Sequence, residues 1–127
     1  MLALNEDSFD AFIEESSGLV LVDFWADWCG PCQKLTPVLE ALEPNYEGQV
    51  AFCKVDIDAN RRLADAFRIK SVPSVVLLKP VSDGPGARVV GHLIGMQAPS
   101  AYVRLIEKAT QERPSLTQRL KRIFGAD

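Results

Sequence analysis

An α/β sandwich on a mixed sheet, parallel in its middle and antiparallel at one side, is the fold class predicted for this 127-residue chain. Short apolar runs alternate with helical patterns early in the chain, the order expected of βαβ units. The last two runs, "SVVLLK" and "RVVGHLI", are joined by the turn-rich "PVSDGPGA" and read as an antiparallel hairpin. With 47% hydrophobic and 24% charged residues, the composition is that of one globular domain with an ordinary core.

Each element follows from its local pattern. Asn5 caps a helix running to about Ser16, with Phe9, Phe12 and Ile13 on one face. "GLVLVDFW" is nearly continuous in apolar residues, as in a strand covered on both faces. Leu35, Val38, Leu39 and Leu42 give the next helix its buried stripe, ending near Gly48; Pro37 removes one hydrogen bond and predicts a kink. "VAFCKVDI" reads as a strand, and Leu63, Ala64 and Phe67 mark a short helix. After the hairpin, Tyr102, Val103, Leu105 and Ile106 define a helix from about Pro99 to Gln111. Beyond Pro114, Leu116, Leu120, Ile123 and Phe124 fall on one stripe, with Ser115 as a cap.

Charge and cysteine usage narrow the function. No apolar run approaches the ~20 residues of a membrane span. The opening "MLALNEDSFD" lacks the basic start of a secretory signal, so the expected location is the cytoplasm. A net charge of −3 gives no reason to expect a nucleic-acid partner. The charge is uneven, however: residues 1–112 carry 10 Lys/Arg against 16 Asp/Glu, and residues 113–127 carry four against one. Three cysteines are too few for a disulfide-stapled scaffold.

Cys29 and Cys32 stand three apart in "FWADWCGPCQK". A metal site needs a second ligand pair, which Cys53 and His92 do not form, so no metal is expected. A structural staple closing so short a loop removes little chain entropy. A reactive dithiol fits best. Residues i and i+3 at a helix start share a face, near enough to make and break a bond. Free N–H groups and the helix dipole there stabilise a thiolate at Cys29, and thiolate is the attacking form. Pro31 is tolerated in the first turn, where its missing N–H costs nothing.

"VDFWADWCGPC", "KVDID" around Lys54, "SVPS" around Pro73 and the "IG" of Ile94–Gly95 together resemble the thioredoxin family, over about residues 2 to 111. The resemblance implies the thioredoxin fold, a central mixed β-sheet flanked by helices, here with an extra C-terminal helix. It implies a protein-disulfide reductase, monomeric and using only its own dithiol, with no cofactor. Cys29 would attack a client disulfide, and Cys32 would resolve the mixed disulfide. For thioredoxin itself the nucleophile's pKa is about 7. Asp23, an acid within an apolar strand, matches the family's proton acceptor for the resolving cysteine. Desolvation should raise its pKa; the simpler alternative is an ion pair with Lys54, the family's matching lysine. Pro73 is expected in the cis form, beside backbone free to pair with an extended client. Trp28, Gly30, Pro31, Val72, Pro73, Ile94 and Gly95 are the expected client-binding surface. The implied partners are disulfide-containing clients and a thioredoxin reductase.

Four features depart from the family pattern. The first strand is clipped to about Leu2–Leu4, Gln33 stands where a basic residue is common, and the 80–87 loop is long. The fourth is the basic amphipathic extension, residues 112–127 beside a domain of residues 1–111, read as a further helix packed on its acidic domain. The extension and the loop motivate an alternative function, a thioredoxin-fold binding module or co-chaperone. Cys53 reads as a buried structural thiol, and His92 has no assigned role.

Overall fold

The computed structural model describes residues 1–111. The extension from residue 112 onward, with its expected helix, lies outside them. Five strands form one sheet in the order β1-β3-β2-β4-β5: β1 (Leu2–Ala3), β2 (Leu19–Trp25), β3 (Val50–Asp56), β4 (Ser74–Pro80) and β5 (Ala87–Ile94). β1, β3 and β2 run parallel, while β4 is antiparallel to β2 and β5 to β4. This is the mixed sheet expected from the order of elements. α1 (Phe9–Glu15), α2 (Gly30–Leu42), α3 (Arg61–Ala66) and α4 (Pro99–Gln111) complete the fold.

Side-chain alternation along the strands divides the core in two. On one face Val20, Val22 and Phe24 of β2 pack with Cys53 and Val55 of β3 and with Phe9 and Ile13 of α1. On the other, Leu19 and Leu21 pack with Phe52, with Leu35 and Leu39 of α2, and with Tyr102 and Ile106 of α4. β2 lies at the centre and is buried from Leu19 to Phe24, which explains its nearly continuous apolar run. Cys53 is buried on the face away from Lys54, and burial pushes its thiol pKa up to about 12, so it remains a protonated core residue.

Local chemistry refines three boundaries. Asn5 Oδ1 accepts from the N–H groups of Asp7 and Ser8, so it caps a turn, and regular helix begins only at Phe9. α2 ends at Leu42 and tightens into a 3₁₀ turn, Glu43–Tyr46, before Gly48 adopts a left-handed conformation. β1 has only two paired residues, opposite Cys53 and Lys54 of β3, which makes that sheet edge short. α2 continues through Pro37. The β4–β5 connection closes with Val81 N–H donating to the Gly86 carbonyl at 3.1 Å.

Candidate active site

The end of β2 and the start of α2 are joined by a tight turn in which Cys29 N–H donates to the Ala26 carbonyl at 3.1 Å. The turn turns Trp28 outward, leaving it 69% exposed, and sets Cys29 at the N-cap of α2. Cys29 and Cys32 form a disulfide, their Cα atoms 5.3 Å apart. The Cys32 backbone N–H donates to the Cys29 sulfur at 3.2 Å. An unsatisfied helix N–H thus has the sulfur as its acceptor, and the same donor stabilises negative charge there when the bond is reduced. Cys29 is 5% and Cys32 1% exposed, so both are buried, with Cys29 at the helix end. Gly30 and Pro31 open α2 on the surface, with open space where a Cβ on Gly30 would stand.

A second layer closes round the sulfurs. Ala26 packs with both cysteines, and Trp25, Ile57 and Val72 pack against that cluster. The Val72–Pro73 peptide is cis, and the Pro73 carbonyl accepts from Gly95 N–H at 2.8 Å. Gly95 takes a left-handed φ of +76°, a conformation suited to glycine, which turns the chain away after β5. Among the described residues, the N–H and C=O of Val72 have no backbone partner. Trp28, Ile94 and Met96 are large exposed apolar groups of this region. Gln33 donates through its side-chain amide to the Asp27 carbonyl at 3.0 Å, tying the turn to the helix.

Asp23 is fully buried, and among the described residues neither carboxylate oxygen has a hydrogen-bond partner. It sits opposite Lys54 on β3 and Val75 on β4, on the sheet face that α2 and α4 cover. Desolvation raises its pKa to about 7, and the Lys54 charge offsets only part of that rise. A close Asp23–Lys54 ion pair does not form: the Lys54 ammonium lies over the Trp25 ring, 5.6 Å from its centroid. Lys54 therefore acts on Asp23 through space.

Two contributors escaped the sequence reading. Asp58 Oδ2 accepts from Trp28 Nε1–H at 2.9 Å and holds the indole beside Cys29. The second is Ile57, packed against the cysteine cluster. Both lie just after β3, in the "VDID" stretch, and the regular Asp spacing there was the available signal.

The sequence model of the thioredoxin family matches residues 1–97. The chain belongs to the thioredoxin family. It is 44% identical over 105 residues to a thioredoxin of Chlamydia muridarum, covering 83% of this chain and 94% of that one. It is 35% identical over 103 residues to a thioredoxin of Chlorobaculum thiosulfatiphilum, covering 81% and 90%. The structure of Trichomonas vaginalis thioredoxin superposes with a TM-score of 0.76 at 33% identity, covering 86% of this chain and 96% of that one. Family membership and a cysteine pair at bonding distance together make dithiol–disulfide exchange through Cys29 and Cys32 the chemistry of this site. Among the described residues there is no cluster of metal-ligating side chains, and no helix is long and apolar enough to cross a membrane.

The buried carboxylate has a thermodynamic signature. Because the folded pKa of Asp23 lies above its unfolded value of 3.8, the group favours folding below about pH 4 and progressively opposes it up to about pH 7. At roughly 1.4 kcal/mol per unit, the cost above pH 7 is roughly 4 kcal/mol. In Asp23→Asn an unpaired buried amide offsets roughly 1–3 kcal/mol of the gain. The variant is therefore expected to exceed wild type by about 1–3 kcal/mol in urea unfolding at pH 8. That advantage should shrink on going to pH 4, and a pH-independent difference would contradict the raised pKa.

Proposed function

We propose that this thioredoxin-family chain is a monomeric cytoplasmic protein-disulfide reductase, regenerated by a thioredoxin reductase. In the first step the Cys29 thiolate attacks one sulfur of a client disulfide, a Cys29–client disulfide forms, and the client's other sulfur leaves as thiolate. In the second, Cys32 loses its proton and attacks the Cys29 sulfur. The Cys29–Cys32 bond forms, the second client thiolate leaves, and two electrons have passed to the client.

The observation that carries the assignment of roles is the buried, unpartnered Asp23 carboxylate. An acid with a pKa near neutrality, on the sheet face covered by the helix that bears Cys32, is suited to accept the Cys32 proton. Lys54 tunes that acid through its charge. Client docking is assigned to Trp28, Gly30, Pro31, Val72, Pro73, Ile94 and Gly95. The unpaired Val72 backbone offers hydrogen bonds to an extended segment of any sequence, and the exposed apolar groups exclude water around the exchanging sulfurs. Clients recognised mainly through their backbone form a broad set.

Single-turnover kinetics separate the roles. Cys29→Ser should abolish exchange, and Cys32→Ser should accumulate the mixed disulfide. In Asp23→Asn the first step should keep its rate, while resolution slows by roughly 10²-fold, the low end of general-base contributions. Equal resolution rates in Asp23→Asn and wild type would remove Asp23 from the mechanism.

The exchange unit is assigned to residues 1–111 and the basic extension to residues 112–127. Deleting 113–127 should leave the exchange rate within about twofold of wild type, less than 0.5 kcal/mol. The same deletion should alter thermal stability or partner binding. Loss of exchange would place the extension within the working unit instead.

A further inference from the structure

A cavity of about 280 Å³ opens where α3 stops short of β4 and β5. Phe67, Ile69, Val76 and Val89 are among its apolar walls, and Val89 is half exposed. The charged groups in its lining, Arg68 and Lys70, are both basic and exposed, and neither forms an ion pair among the described residues. This sign is opposite to that of the chain around it, since residues 1–112 carry 16 acidic against 10 basic groups. The cavity lies beside the cis-proline segment: Ser71 and Ser74 in its wall bracket Val72–Pro73, and Ile94 lines it.

Arg68 adds an independent observation. Its φ is +55°, the left-handed region in which a Cβ is crowded and glycine is not. The position ends α3, with Ile69 N–H donating to the Ala64 carbonyl at 2.9 Å, a capping geometry that glycine satisfies without strain. Arginine therefore stands at the cavity rim in a backbone conformation that favours glycine.

We propose that this cavity selects among clients: it takes a large apolar side chain of the client, with an Asp or Glu beside it held by Arg68 and Lys70. This specificity rests on the reductase reading, because the segment it grips continues from the one that presents the disulfide beside Val72. β5 is the outermost strand, so the cavity is open to a chain arriving along that sheet edge. The domain's overall charge favours basic peptides, so a preference for acidic ones has to arise locally.

The test uses the full chain, reduced, and two synthetic disulfide peptides. Both carry the same apolar residue near the cystine, flanked by Glu in one and Lys in the other. The readout is the second-order rate of oxidation of the protein. The Glu peptide should react about tenfold faster at low salt, and the ratio should fall in 0.5 M NaCl. In the double variant Arg68→Gly, Lys70→Ser the ratio should drop close to one. That variant relieves backbone strain, so its thermal unfolding should not be lowered. Its rate with neutral hydroxyethyl disulfide should match wild type. Removing the same two charges from α4, as Arg104→Ser, Lys108→Ser, should keep the preference. Equal rates for the two peptides in wild type would overturn the proposal, as would a preference that survives in the Arg68/Lys70 variant. No reaction of wild type with hydroxyethyl disulfide would instead remove the reductase reading, and the proposal with it.

Discussion

One hydrogen bond, from the Cys32 N–H to the Cys29 sulfur at the first turn of α2, links the fold to its chemistry. A helix start leaves N–H groups without partners, and here one of them has a sulfur in front of it. Such a donor, with the helix dipole behind it, stabilises negative charge by roughly 0.3–1 kcal/mol, more when partly buried. Each 1.4 kcal/mol lowers a thiol pKa by about one unit, so a few such contributions bring a cysteine into the neutral range. Everything that fixes the register of α2 therefore fixes the Cys29 sulfur: the buried Leu35 and Leu39 stripe, the Ala26 turn, and the Gln33–Asp27 tie.

Asp23 works against that frame's stability. A buried carboxylate with no hydrogen-bond partner among the described residues is costly in the central strand, and an apolar residue there would fold better. Its neighbours are arranged so that the cost is not relieved. Lys54 is in register on β3, yet its ammonium lies over the Trp25 ring, leaving the carboxylate titratable near neutrality instead of locked as an ion. A closer ion pair would stabilise the fold and hold the carboxylate ionised. The same trade recurs at the surface, where Trp28 is held out in solvent by Asp58 although its ring would gain by burial.

What was legible in the sequence is what depends on local pattern. The run from Leu19 to Phe24 announced a doubly covered strand, and the Leu35–Leu39 spacing announced the face of α2. Alternation along β3 separated Cys53 from Lys54 without any coordinates. The WCGPC segment carried the chemistry because capping and spacing are themselves local. The remainder depends on contacts between distant elements. The Trp28–Asp58 bond crosses 30 residues, and the absent Asp23–Lys54 pair is decided by where a flexible side chain finds an aromatic ring. Arg68 gave no warning of its left-handed backbone, since arginine is ordinary in a short helical pattern. The shift of the first helix from Asn5 to Phe9 arose because Asn5 spends its side chain on a turn.

Whether this dithiol donates electrons to protein disulfides is decided by its reduction potential. Equilibration of the Cys29–Cys32 pair against dithiothreitol of known redox ratio gives the value. The expected potential is close to that of thioredoxin itself, about −270 mV. A potential of about −180 mV or higher would mean that the reduced form is too stable to pass electrons on, and would contradict the reductase assignment.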